Sequence, residues 1–218
     1  MKRIIYTIAS ILLVCPVMAQ NFEAELAQIH HRDQNVRFKV AKFHQEGQID
    51  SLMYYAEQMV KIDAENQQYV ADMIRNYGIP DNLSDKAYSA IFLVVDHADL
   101  AFQKRYFKPL KQAAKQGKIK ASEINTLYDR ILMHRNRRQL FGTQTVSKST
   151  IIEGEAAPQL INYVWPVKRT KTLDARRENA GMGTMRQQAE AHEKYGGYKM
   201  IWDKSLSVKK LKAIMEHK

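Results

Sequence analysis

The sequence predicts a mainly α-helical domain with a small sheet, of the α+β class, and three observations carry that prediction. From residue 22 to residue 131, apolar side chains recur at steps of three, four and seven, the spacing of helical stripes. Glycine, proline or a capping residue punctuates these stretches near positions 47, 78–80, 84, 117 and 122. Beyond Gln139 the pattern changes to short runs of Thr, Val, Ile and Phe, the composition of strands. The expected architecture is a core of about five helices, a small antiparallel β-hairpin or three-stranded sheet, and short C-terminal helices.

Residues 1–19 read as a signal peptide rather than as part of that fold. Lys2 and Arg3 form a charged start, residues 4–14 are an almost unbroken apolar run, and Ala19 offers a cleavage point before Gln20. The run is too short to span a membrane as a helix. Export to the periplasm or the medium is therefore expected. A lipoprotein signal ranks second, because the branched Val14 precedes Cys15 where a small residue is usual. Cys15 is the only cysteine, so cleavage after Ala19 leaves a domain without disulfides or thiol chemistry.

Residues 20–195 are expected to form the single domain. Phe22, Leu26, Ile29, Val36, Val40 and Phe43 describe the first helical stripe, and Asp33 falls on it between Ile29 and Val36. A carboxylate there must be paired with a neighbour or belong to a site. Residues 50–77 read as one long helix, or two joined near 62–65. Leu52, Met53, Ala56, Met59 and Val60 form its first stripe; Val70, Met73, Ile74 and Tyr77 form its second. Gly78 and Pro80 close it. Ser84 or Asp85 caps a third helix with Ala87, Ala90, Ile91, Val94, Val95 and Ala98 inward; His97 lies at the edge of this stripe, and Asp96 faces the other way. A fourth helix, 101–116, contains Pro109, which is expected to kink or shorten it. The fifth starts at Ser122 with Glu123 and ends at the basic turn 135–138, where Asn136 suits a left-handed backbone. Residues 141–146 and 149–152 read as strands about a turn at Ser147-Lys148, 154–158 as loop, and 160–164 as a further strand. Short helices follow at 173–180 and 184–195, and residues 196–218 form a basic tail expected to be peripheral.

The net charge is +11, and +9 without Lys2 and Arg3; residues 164–218 alone hold 13 Lys and Arg against 6 Asp and Glu. Nucleic acid is disfavoured as the partner of this charge. The leader directs the chain outward, and the basic residues are not interleaved with a nucleic-acid motif. A solvated face, or weak contact of the tail with an anionic envelope surface, is the expected role.

No HExxH, GxSxG or glycine-rich phosphate loop is present, and His30, His31 and His44 are not spaced to chelate together. Neither a metal nor a cofactor is implied. The candidate site residues are polar groups at element ends. His97 and Asp129 are the candidate bases. Asp33, Arg37, Arg130, Gln139, Thr143, Gln144, Arg176 and Arg177 are the candidate binding groups. Their convergence on one cleft at the helix–hairpin junction would give a polar, Arg-containing pocket for an unknown small molecule or peptide-like ligand. Two alternatives remain: a hydrolase using His97 or Asp129 as general base, and a closed polar network that only fixes the junction.

In order along the chain, Asp33-Gln34-Asn35-Val36-Arg37, Asp63 with Asn66, Gly78-Ile79-Pro80, Asp96-His97-Ala98, Phe102-Gln103, Asp129-Arg130, Gln139-Leu140-Phe141-Gly142-Thr143-Gln144 and Asp174-Ala175-Arg176-Arg177 with Gly181 form a series of polar blocks. The series resembles an uncharacterised bacterial family, a domain of unknown function with the pattern DQxxR, GWP, QH, DR, QxYGTQ and DxRR. Ile79 stands where that pattern has Trp, Asp96 where it has Gln, and Phe141 where it has Tyr. The resemblance covers about residues 25–185; it implies a shared fold and a residue list, and no reaction.

Overall fold

The computed structural model describes residues 16–150, 159–196 and 199–216. Residues 1–15, which carry most of the expected signal peptide, lie outside the described residues. So do 151–158, where the end of one expected strand and the 154–158 loop fall, and Gly197. Among the described residues there are eight α-helices and three strands.

Five helices form the main core: α1 (Pro16–Gln45), α2 (Ile49–Tyr77), α3 (Asp85–His97), α4 (Leu100–Lys115) and α5 (Ala121–His134). The short α3 is the centre. It contacts α1, α2, α4 and α5, and buries Ala87, Tyr88, Ala90, Ile91, Phe92, Val94, Val95 and Asp96. Such all-round burial follows from its composition, which is apolar on nearly every face. Ser84 caps it by accepting the Ala87 N–H, as expected of one of the two candidate caps. Asp96, expected to face away from the core, is buried because α5 covers that side. The α2 stretch is one uninterrupted helix, and α4 is not cut short at Pro109. α5 starts at Ala121, one residue before expected, and the Glu123 carboxylate accepts the Lys120 N–H at its start.

The long α1 and α2 outrun α3. Beyond Val36 on α1 and before Asn66 on α2 nothing is buried, and Phe38, Ile49, Met53, Tyr54 and Val60 are exposed. Met53 and Val60, expected inward, point outward because the far end of this helical pair has no third layer to cover it. Among the described residues, no helix is long and apolar enough to cross a membrane.

The sheet corrects two expectations. It contains a parallel pair as well as an antiparallel one. β1 (Thr145–Thr150) runs straight through Ser147-Lys148, where a turn was expected, and pairs antiparallel with β2 (Gln159–Val164) from Thr145↔Val164 to Thr150↔Gln159. β3 (Lys199–Ile201) lies parallel to β2 on its other side. Two short helices, α6 (Leu173–Glu178) and α7 (Met185–Gly196), precede β3, and α8 (Val208–Glu216) follows it.

β2 is apolar on both faces, and each face has its own cover. Val164 packs with Val167, Leu173 and Met185 on the α6–α7 side. Tyr163, Trp165 and Val146 pack with Leu206, Leu211 and Ile214 on the α8 side. The tail is therefore not peripheral. Leu211 is fully buried, because the second face of β2 needs an apolar cover and the stripe Val208, Leu211, Ile214, Met215 provides it. The Lys148 ammonium also reaches the Ile214 carbonyl in the last turn of α8.

Candidate functional site

The candidate residues separate into two clusters. The first is the helix–hairpin junction. α5 ends at Arg135, Asn136 takes the left-handed conformation at φ 53°, and residues 139–144 then fold back over Asp129. The Asp129 carboxylate is fully buried. Its oxygens accept N–H groups from Leu140 (2.7 Å), Phe141 (2.9 Å) and Thr143 (3.3 Å), and the Thr143 hydroxyl at 3.1 Å. Burial pushes this carboxyl above its ordinary value, and the N–H donors of Leu140, Thr143 and Phe141 pull it back.

The carbonyls of the same loop point the other way, toward α6 and α7. Arg176 donates to Leu140 O and Lys168 O, and Arg177 donates to Phe141 O and Gly183 O. Gln188 closes the arrangement by accepting from Arg177 and donating to Gly142 O. The Leu140–Phe141 and Gly142–Thr143 peptides thus lie between the Asp129 carboxylate on the N–H side and a guanidinium or amide on the C=O side. Gly142 has φ +71°, and a Cβ there would lie 2.8 Å from the buried Met185 Sδ, so both backbone and space demand glycine.

Gln139 acts as a substitute peptide group. It is fully buried; its amide N–H donates to Gln144 O and Trp165 O, and its Oε1 accepts the Gln144 N–H at 2.9 Å. The Gln139 backbone also bridges to Val167, which carries the junction into the chain after β2. Gln144 donates to Thr126 O on α5 and to the Thr143 hydroxyl. Asp129, Gln139, Thr143, Gln144, Arg176 and Arg177 are brought together as expected. The arginines donate to loop carbonyls, and the group has the closed form of the polar-network alternative rather than that of an open cleft.

The second cluster joins α1, α2 and α3. Asp33, with a side chain 1 % exposed, accepts from Gln34 at 2.7 Å, from Arg37 Nη1 at 3.0 Å and from His97 Nδ1 at 3.0 Å. Arg37 Nη2 continues to Asp63 at 2.9 Å. Burial works against the Asp33 charge, but the His97 and Arg37 partners win and hold the carboxyl below its ordinary value. An ionised Asp33 accepts only, so His97 donates to it through Nδ1, and Nε2 is the ring nitrogen left for another partner. His97 is 19 % exposed, and its Nε2 makes no hydrogen bond among the described residues. No contact joins His97 to Asp129, Gln139 or Gln144, so the expectation that all of these line one site is corrected. Asp129 faces the loop, His97 faces α1, and different helix neighbours fix each.

Between the clusters lies a third contact. Arg130 does not pair with Asp129; it reaches Asp96 at 2.9 Å, leaving Arg130 Nε and Asp96 Oδ1 buried without a protein partner. Burial and Arg130 push the His134 imidazole below its ordinary value, and Asp96 pulls it back. Among the described residues, no group of three or more His, Cys, Asp or Glu side chains is placed to hold a metal ion.

A family model described as "Family of unknown function (DUF6624)" matches residues 20–200. The chain belongs to the DUF6624 family. No curated protein and no solved structure matches it. The DUF6624 match takes in both clusters, β1, β2 and α6–α7, and ends within β3, before α8. Gln188, Asp96 as the partner of Arg130, and the fully buried Gln103, which donates to the Asp96 and Ala98 carbonyls, were not on the candidate list. Gln103 and Asp96 stood in the motif series. Gln188 had no sequence signal, because its role depends on how α7 folds back on the loop.

Proposed function

We propose that this DUF6624 chain is an exported ligand-binding protein whose contact group is His97, on the polar face shared by α1, α2 and α3. The observation that carries the reading is the Asp33–His97 pair: a buried, ionised carboxylate fixes the ring through Nδ1, while the side chain is partly exposed and Nε2 has no hydrogen-bond partner among the described residues. Arg37 uses Nη1 and Nη2 on Asp33 and Asp63, so it is held rigidly beside the imidazole. That face suits a small polar or peptide-like ligand that offers a hydrogen-bond donor to Nε2. The Asp129 junction, whose donors and acceptors satisfy one another, is assigned the structural role. Export is supported by the basic start, the apolar run at 4–14, Ala19, and the start of the family match at residue 20.

A hydrolase is the second reading, favoured by the same pair. His97 Nε2 would take a proton from water as that water attacks an acyl carbon, with Asp33 steadying the imidazolium. The acyl–oxygen or acyl–nitrogen bond then breaks, the imidazolium returns its proton to the departing alcohol or amine, and the carboxylic acid is released. Asp129 is not the base, since its acceptor positions are filled by the loop. One experiment separates the readings. The His97 ring is followed by NMR during titration with N-acetyl amino acids and their amides, and p-nitrophenyl acetate turnover is measured in parallel. Binding predicts saturable shifts at His97 that vanish in His97→Gln, with no turnover above free imidazole. Hydrolysis predicts turnover lost in His97→Gln and reduced in Asp33→Asn. If neither probe responds and His97→Gln only lowers the melting temperature, the pair is a tie between helices.

A further inference from the structure

A second feature lies apart from the His97 face, where the chain leaves β2. A recess of about 380 Å³ is lined by Arg138, Val167, Arg169, Thr170, Lys171, Thr172 and Lys204. Four of these residues are cationic and none is acidic. None of the four cations makes an ion pair among the described residues. Like charges gathered around one concavity repel one another, and they are stabilised there by a counter-charge between them.

The walls of the recess are held from behind. Gln139 bridges to Val167, the Lys168 N–H donates to Gln139 O, and Arg176 grips both Lys168 O and the Thr172 hydroxyl. Arg169 itself adopts a left-handed backbone at φ 51°, which turns the chain and carries the cations around the rim. On the far side Lys204 lies over the Trp202 ring at 4.7 Å, which limits where its ammonium goes. The nearest carboxylate in sequence, Asp203, accepts the backbone N–H and hydroxyl of Ser205 on Oδ1 and makes no ion pair with Lys204 among the described residues.

We propose that this recess is a binding site for a compact, multiply charged oxyanion of the phosphate type, gripped by Arg138, Arg169, Lys171 and Lys204. Two guanidinium groups offer forked donors, and two ammonium groups supply point charge, the combination that favours a tetrahedral oxyanion over a single carboxylate. The Thr170 hydroxyl lies at the same rim and is free to donate. The site is independent of the His97 reading, and neither depends on the other being correct.

Isothermal titration of the full chain with pyrophosphate at low salt tests the proposal. A second arm measures sedimentation with phosphatidylcholine vesicles, with and without phosphatidic acid, to distinguish a free phosphate from a lipid headgroup. The expected result is saturable one-to-one binding of pyrophosphate that Arg138→Ala/Lys204→Ala weakens by about tenfold or more. Lys209→Ala/Lys210→Ala, which removes the same charge from the exposed side of α8, should leave it within about twofold. Co-sedimentation that depends on phosphatidic acid and is lost in the recess variant assigns the phosphate to a lipid; solution binding alone assigns it to a soluble compound. Equal weakening by the two double variants would show that only net charge is at work and would overturn the site. Absence of pyrophosphate binding together with absence of vesicle binding would overturn it equally.

Discussion

Asp129 shows how one side chain can organise a loop. Its two oxygens answer three backbone N–H groups and one hydroxyl, and nothing else in the interior is placed to replace them. Asp129→Asn preserves shape but sets an amide donor against those donors. We expect it to destabilise the fold by about 1–3 kcal/mol, the cost of stranding buried polar groups. Arg177→Ala should cost a similar amount by freeing the Phe141 and Gly183 carbonyls. Both groups hold the same loop, so the double variant should cost less than the sum of the singles. Urea unfolding of the four proteins measures this, and strict additivity would show that the loop is not one cooperative unit. Gly142→Ala belongs to the same scale. A positive φ and the Met185 Sδ both oppose a Cβ, so the melting temperature should fall, and Met185→Ala should restore only the part due to the clash.

Among the elements, α8 and the far end of α1–α2 behave oppositely, and the sequence alone does not tell them apart. Both carry apolar stripes at helical spacing. α8 lays Leu211 against Trp165 on the uncovered face of β2, whereas Met53 and Val60 extend beyond the end of α3 into solvent. Leu211→Ala should therefore cost about 2–5 kcal/mol, while Met53→Ser should stay within about 0.5 kcal/mol. Chemical denaturation of the two variants checks the pair; equal effects would contradict the packing. The five core helices were legible because periodicity and caps are local signals, as Ser84 and Asn136 illustrate. β3 was not legible: it has three residues, and its pairing with β2 is set by the path of α7 rather than by any pattern of its own. The members of the junction were legible as polar residues at element ends. That Asp129 would face the loop while His97 faced Asp33 was not, because it depends on how α1, α3 and α5 pack.

Across the whole molecule, the shifted groups of Asp33, Asp129, His134 and His30 make stability depend on pH, and their signs differ. Asp33 is held below its ordinary value of 3.8, so its stabilisation is present above that value and is lost as pH falls through the lower, folded value. His134 is pushed below 6.5 by burial and by Arg130, so the folded chain resists its protonation, and stability is lost as pH falls from 6.5 through the folded value. Asp129 runs the other way: burial raises its carboxyl above 3.8, so its contribution is present below 3.8 and is lost as pH rises through the raised value. The His134 step begins nearest neutrality, together with that of His30, which burial and Lys86 also push below 6.5. Asp33 governs the acid limit, where Asp129 partly offsets it. We expect the urea midpoint to fall between about pH 7 and pH 5, and to fall again below about pH 4. His134→Gln should flatten the first fall and leave the second. Asp33→Asn should lower the midpoint at neutral pH, because it removes the carboxylate that ties α1 to α3, and should flatten the second fall. A His134→Gln profile that superimposes on the wild type between those first two pH values would show that the Arg130–Asp96–His134 grouping has no energetic effect. The acid lability of the fold would then rest on His30, Asp33 and the α1–α3 tie.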